Sequence, residues 1–299
     1  MSGSERPCLR VGVVGAGRVG AVLGAALAAA GHDVTGASAV SQASRDRAAD
    51  LLPDVPIREV PEVIAAADLV LLAVPDDALE DLIAGLTRTQ AWTPGQIVVH
   101  TSGRHGLAPF APTEGLGLLP LAIHPAMTFS GTRTDLQRLT DACFGVTTPE
   151  SMRPVAEALV LEIGGEPVWV PEAARPLYHA ALAHGSNHLV TLVAQSLEIL
   201  ASAGIEHGDR ILRPLLAASL DGALSSGDAA LTGPVARGDT GTVASHVHHL
   251  SGLAPDILAG YTAAARATAQ RAERAGRLRP STVDALLTVL DPQHPDQES

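Results

Sequence analysis

Three kinds of residue in this chain could do chemistry: a run of glycines, a set of histidines and a few arginines. Gly15-Ala16-Gly17-Arg18-Val19-Gly20 has the spacing of a turn that cradles phosphate. Gly15 permits the tight turn, Gly17 lets backbone approach a pyrophosphate, and Gly20 lets the following helix pack close to its strand. The start of that helix offers free N–H groups and a partial positive charge. Cofactor contacts are therefore expected at Gly15, Ala16, Gly17, Arg18, Val19 and Gly20. Others are expected where the next strands end, at Ser38, Ser41 and Val74-Pro75-Asp76. The second strand ends Gly36-Ala37-Ser38-Ala39, without the acid that would hold a ribose 2′-hydroxyl. Ser38, Ser41, Ser44 and Arg45 suit a 2′-phosphate better, which predicts NADP, with NAD possible.

The histidines suggest what such a cofactor would serve. His100-Thr101-Ser102-Gly103 and His124-Pro125-Ala126-Met127-Thr128 each close an apolar run, where ligands of open α/β sheets bind. A long, mostly apolar stretch then carries Tyr178, His179, His184, Ser186, Asn187 and His188. At ~100° per residue, Ser186 falls almost under His179, Asn187 lies ~80° round, and His188 faces away. Reduction of a carbonyl needs donors for the developing alkoxide and then a proton. Ser186 and Asn187 are candidates for the first task, His179 or His124 for the second. Ser102 and Thr128 would border the substrate. Arg237, set between glycines in Thr232–Asp239, could clamp a carboxylate, with Asp239 beside it or capping the next helix. Equally, each strand-end histidine could simply bond backbone, and His179 with Asn187 could be a polar pair inside a helical core. His184 and His188 have a metal-binding spacing but no third ligand in sight, so no metal is expected. His246, His248 and His249 read as a polar helix face.

Composition narrows the classes. The chain has 299 residues, enough for about two domains. Its formal charge of -12 disfavours nucleic acid and anionic membrane surfaces. All 20 basic residues are arginine, so no lysine can serve as an acid or form a Schiff base. Arginine holds its proton too tightly for the task. Proton transfer falls to the 12 histidines, to Asp, Glu or Tyr, or to water. Two cysteines, Cys8 and Cys143, make no disulfide framework. No run reaches the length of a membrane span, and no signal peptide is evident, so a cytoplasmic protein is expected.

The elements follow from the apolar pattern. Residues 1–8 read as a loose leader. Strands are expected at 9–14, 33–39, 69–74, 96–100, 118–123, 144–147 and 167–170. Helices are expected at 21–30, 44–52, 61–67, 78–86 and 151–163. This alternation predicts a doubly wound, mostly parallel sheet over residues 1–171. From residue 172 the strand signal stops. Helices are expected at 176–203, 209–225, 255–275 and 280–290, with a loop at 229–239 and a polar, disordered tail at 291–299. The helix at 176–203 has little polar face, so burial against a second copy is expected, making a homodimer.

These motifs together resemble a known family. GAGRVG, AVPDD, VVHTSG, HPAMTF, YHAALAHGSNHLVTL and LTGPVARGD are similar to those of proteins that join a Rossmann-like domain to DUF2520. The resemblance spans roughly Leu9 to Leu290. It implies NAD(P) in a cleft, a helical dimerisation domain, and an architecture like pyrroline-5-carboxylate reductase and 3-hydroxyacid dehydrogenases. Reduction of ketopantoate to pantoate is the substrate it suggests, with a small carboxylate as ligand. An imine reductase and a non-catalytic NADP(H) sensor are the alternatives. His124, Thr128, His179, Ser186, Asn187, Arg237 and Asp239 match the family's motif positions. Three features depart from it: Ser38-Ala39 replaces a Ser-Arg pair, His184 replaces an apolar residue, and the lysine acid of related dehydrogenases has no counterpart.

Overall fold

The computed structural model describes residues 8–291. The leader and the tail expected at the two ends therefore lie almost wholly outside the described residues. The described residues form two compact units that divide between Ala183 and His184. The division falls twelve residues after the expected boundary, because the first turns of the long helix belong with the sheet.

The first unit is built on seven strands: β1 (Arg10–Val14), β2 (Asp33–Ser38), β3 (Leu69–Leu72), β4 (Ile97–His100), β5 (Leu119–Pro125), β6 (Cys143–Thr147) and β7 (Glu166–Trp169). Their order is β2-β1-β3-β4-β5-β6-β7. Strands β1 to β5 are parallel, and the apolar runs of β1, β3 and β4 suit a sheet covered on both faces. The order reverses between β1 and β3, which opens the crevice where open α/β sheets take ligands.

Helices α1 (Arg18–Ala29), α2 (Gln42–Leu51) and α6 (Arg153–Glu162) cover one face. Helices α3 (Val60–Ala65) and α4 (Asp76–Arg88) cover the other, with the 3₁₀ turn Ala108–Thr113. In α4 the buried residues are Leu79, Ile83 and Leu86, one stripe at helical spacing. Each contributes about 1.5–3 kcal/mol by leaving water.

Strand β6 was located by the sequence but not its direction. It runs antiparallel to β5, and β7 runs parallel to β6. The connection after β5 contains the short α5 (Arg133–Arg138), opened by a capping box of Thr132 and Asp135, and a 3₁₀ turn at Leu139–Asp141. It returns the chain to the end of the sheet it had just left.

Helix α7 (Arg175–Ser202) is a single 28-residue rod whose first nine residues belong to the first unit. In the second unit, the rest of α7 is followed by α8 (Gly208–Ser226), α9 (Pro234–Arg237), α10 (Thr240–Leu250), α11 (Pro255–Arg274) and α12 (Pro280–Val289). The expected loop at 229–239 contains α9, too short to show a period. Helices α9 to α12 share a small core of Val235, Val243, Ala265, Ala269, Val283, Leu286 and Leu290. Leu189, Val190, Leu192, Leu215, Leu220 and Leu224 of α7 and α8 are exposed. Among the described residues no helix is long and apolar enough to cross a membrane.

Candidate functional site

The glycine loop joins β1 to α1. Gly15 has φ +93°, a left-handed conformation natural to glycine. A Cβ there would stand 2.6 Å from the Ala73 carbonyl oxygen. A Cβ on Gly20 would strike the Gly15 carbonyl. Around Gly17, in contrast, the space is open for 4 Å beyond where a side chain would begin. The first turn of α1 carries no acid, and no side chain caps it. Its amides are therefore free to face an anion, and bare Gly17 leaves room for one. This is the cradle a pyrophosphate needs, and the residues present fit a dinucleotide.

The neighbouring residues take distinct places. Ser38 is buried, and its Oγ accepts a hydrogen bond from the Gly15 amide at 3.0 Å. Its carbonyl accepts from the Ala16 amide at 2.7 Å. Ser38 thus braces the loop from beneath. Ser41 caps α2 by accepting from the Ser44 amide. Arg45 donates to the Val40 carbonyl at 2.7 Å. Arg18 is exposed at the first position of α1, followed by half-buried Val19. Val74 ends the run after β3, Pro75 sets the start of α4, and half-buried Asp76 lies in its first turn.

Along the sheet, the ends of β4 and β5 carry two histidines with different fates. His100 is fully buried. Its Nε2 faces the Gly106 carbonyl at 2.6 Å, and its Nδ1 accepts from the Ser102 amide at 3.2 Å. Both ring atoms are spent on the turn 101–106, and burial pulls its pKa down to about 4. It is a structural latch.

His124 is not latched in this way. Its Nδ1 lies 3.0 Å from the Tyr178 hydroxyl, on α7. Its Nε2 has no protein partner, yet no buried side-chain nitrogen or oxygen among the described residues lacks one. The Nε2 is therefore open to solvent. A Cβ on Gly103 would come within 2.9 Å of it and 2.7 Å of the His179 ring. Only glycine there lets the two imidazoles stand side by side, edge to face at 6.1 Å. Burial lowers the His124 pKa to about 4, helped by Arg175 and then by His179, with Asp76 opposing. At neutral pH its ring is uncharged.

Arg175, at the head of α7, escaped the reading of the sequence. It is fully buried beneath the sheet's edge. Its Nε donates to Thr147 Oγ1 at 2.7 Å, and its two Nη atoms donate to the carbonyls of Ser102, Ala122 and Gly145. No carboxylate is among these partners. Burial lowers its pKa to about 10, which still leaves a full charge at pH 7. Its guanidinium carbon lies 5.8 Å from the Tyr178 ring centre. Tyr178 fits because β6 has a glycine opposite: a Cβ on Gly145 would be 2.5 Å from the phenol oxygen. The signal for Arg175 was a lone arginine opening an apolar helix, three residues before a tyrosine.

The other expected residues are placed as follows. Ser102 is buried, and its Oγ accepts from the His105 amide, so its hydroxyl serves the turn. Thr128 is exposed beyond β5. In the second unit, Ser186 is half-buried and Asn187 exposed on α7. Arg237 is exposed at the end of α9. Asp239 caps α10, accepting from the Thr242 amide at 3.1 Å and its hydroxyl at 2.7 Å, which holds its pKa low. The capping alternative describes this residue. His184 and His188 approach each other to 2.8 Å between Nδ1 atoms.

Two family models match the chain: a Rossmann-like domain over residues 1–125 and a domain of unknown function, DUF2520, over 142–268. No curated protein matches the sequence. Among solved structures, a candidate NADP oxidoreductase from Bacteroides fragilis is 20% identical, with 88% of this chain and 98% of that one covered and a TM-score of 0.75. An imine reductase from a Pseudomonas species is 17% identical, with 94% and 92% covered and a TM-score of 0.57. A pyrroline-5-carboxylate reductase from Coxiella burnetii is 15% identical, with 95% and 97% covered and a TM-score of 0.54. At these identities the likeness establishes a shared fold.

Proposed function

The chain carries a Rossmann-like domain and a DUF2520 domain, and on that footing we propose that it is an NADP-dependent reductase of a small 2-oxo acid. The observation that carries this reading is the free-amide cradle at Gly15–Gly20, on the same sheet edge as the open Nε2 of His124. A bound nicotinamide supplies hydride. The chain supplies the rest. Amides of the α1 start hold the pyrophosphate, while Ser41, Arg45 and Arg18 are the polar groups nearest in sequence to a 2′-phosphate. His124 and His179 serve the carbonyl oxygen. Ketopantoate is the substrate to try first.

The test is loss of reduced-cofactor absorbance when purified protein meets ketopantoate and NADPH. Turnover of ketopantoate supports the full reading. No loss at high enzyme concentration rejects that substrate. Imine reduction is the second reading, favoured by the absence of lysine: an iminium substrate arrives protonated and needs no strong acid. Pyrroline-5-carboxylate in the same assay separates the two. The exposed leucines of α7 and α8 support association of two copies through these helices.

A further inference from the structure

A lysine-free reductase must find its proton elsewhere, and His124 cannot supply it as an imidazolium. The ring is half-buried and uncharged at neutral pH. Four charged or titratable groups face it. Arg175, Tyr178 and His179 come from α7, and Asp76 comes from α4. A neutral imidazole can still pass a proton through itself, if one nitrogen receives as the other gives.

We propose that Tyr178 and His124 form such a relay, with the Tyr178 hydroxyl as proton source and Arg175 as the fixed counter-charge. This rests on the reductase reading. In the resting state Tyr178 Oη–H donates to His124 Nδ1, so the ring's proton sits on Nε2, the nitrogen open to solvent. When hydride reaches the carbonyl carbon, the oxygen becomes an alkoxide. The Nε2–H bond breaks as the alkoxide O–H bond forms. The Tyr178 O–H bond breaks as an Nδ1–H bond forms. His124 ends neutral in its other tautomer, and the negative charge rests on Tyr178. Water at the open Nε2 then gives that nitrogen a proton as Nδ1 returns its own to the phenolate, which restores the resting state and leaves hydroxide to the solvent.

The energetics run the right way. An alkoxide is far more basic than a phenolate, whose acid has a pKa of about 10. Without Tyr178, His124 would have to become an imidazolate. Burial raises the phenol pKa and keeps Tyr178 protonated until it is needed, while Arg175 and the Gly145 backbone oppose that rise. Arg175 suits this duty because its hydrogen bonds go to a hydroxyl and three carbonyls and none to a carboxylate, Glu172 acting on it only through space. Its charge is aimed at the place where negative charge develops.

Two measurements test the relay. The first needs neither cofactor nor substrate: nitrogen-15 spectra of the histidines in the full-length protein between pH 5.5 and 8. His124 should remain a neutral Nε2–H ring throughout. In Tyr178→Phe it should lose that single tautomer. A wild-type Nδ1–H ring, or a ring that takes up a proton near pH 6.5, overturns the proposal. The second uses NADPH and whichever oxo acid is turned over. Tyr178→Phe should lower kcat by ~10²–10⁴-fold, as loss of a general acid does, with KM little changed. The wild type should show a solvent isotope effect from two protons in flight. An unchanged kcat in Tyr178→Phe, or a one-proton isotope effect, overturns the relay. If the Nε2–H tautomer is present but the wild type reduces no oxo acid, the reductase reading fails and the relay's catalytic use falls with it. The Tyr178–His124 pairing would then survive as structure alone.

Discussion

Residues in the first unit divide by whether their polar atoms are already spent. His100 and His124 end adjacent strands and look alike in sequence. One has both ring nitrogens bonded, and the other keeps one open. This predicts a pH signature for His100. Its folded pKa, about 4, lies below the usual histidine value, so the unfolded chain binds the proton first as pH falls. Its contribution to stability is complete above about pH 6.5 and is lost progressively towards pH 4, on the order of 3 kcal/mol in all. Denaturant unfolding of the wild type and His100→Asn across that range should show a steeper acid loss in the wild type. Parallel pH profiles would remove His100 from the account. Arg175 makes a sharper case. Arg175→Met would leave three carbonyls and a hydroxyl without their donor in the interior. The expected destabilisation is about 3–5 kcal/mol by denaturant midpoint, although no salt bridge is broken.

Elements are where the sequence was most legible, and the reasons are local. Strands β1, β3, β4 and β5 announced themselves as short apolar runs closed by Gly, Pro or His, and the Gly15–Gly20 turn by its spacing. The direction of β6 could not be read, since it depends on a connection containing a six-residue helix and one 3₁₀ turn. Helix α9, of four residues, left no period. In the candidate site, His124 and His179 were identified and do meet over Gly103. Arg175 was not, because a buried cation hydrogen-bonded to no acid breaks the rule by which charged residues are assigned to the surface. Ser38 and Ser102 stood where expected, but their oxygens point into turns, which residue type alone cannot tell. At this scale the loop carries its own test. Gly15→Ala would force an L side chain into a left-handed backbone and onto the Ala73 carbonyl. Calorimetry with NADPH should show binding lost, or weakened by at least tenfold; unchanged affinity would mean the cradle lies elsewhere.

At the scale of the whole molecule, the two units bury their apolar residues differently. The sheet unit has a continuous core on each face, whereas in the second unit the residues buried on α8 reduce to Gly208. A Cβ on Gly208 would lie 3.0 Å from Leu200, so α7 and α8 approach closely there and present their leucines outward. Light scattering should give the mass of two chains for the wild type. The double variant Leu215→Asp and Leu224→Asp should give one, with reduced thermal stability. A wild type that is monomeric at micromolar concentration would refute association through this surface.

The guanidinium at the head of α7 also bears on how that helix comes apart. Helix ends ordinarily fray, and their first-turn amides exchange with solvent early. Here the opening residue is bonded to three carbonyls on neighbouring strands and loops, so the first turn cannot unwind unless those backbone oxygens are released together. In deuterated water the peptide hydrogens of residues 179–183 should be replaced as slowly as those of β5. The rod would then melt from its far end inward.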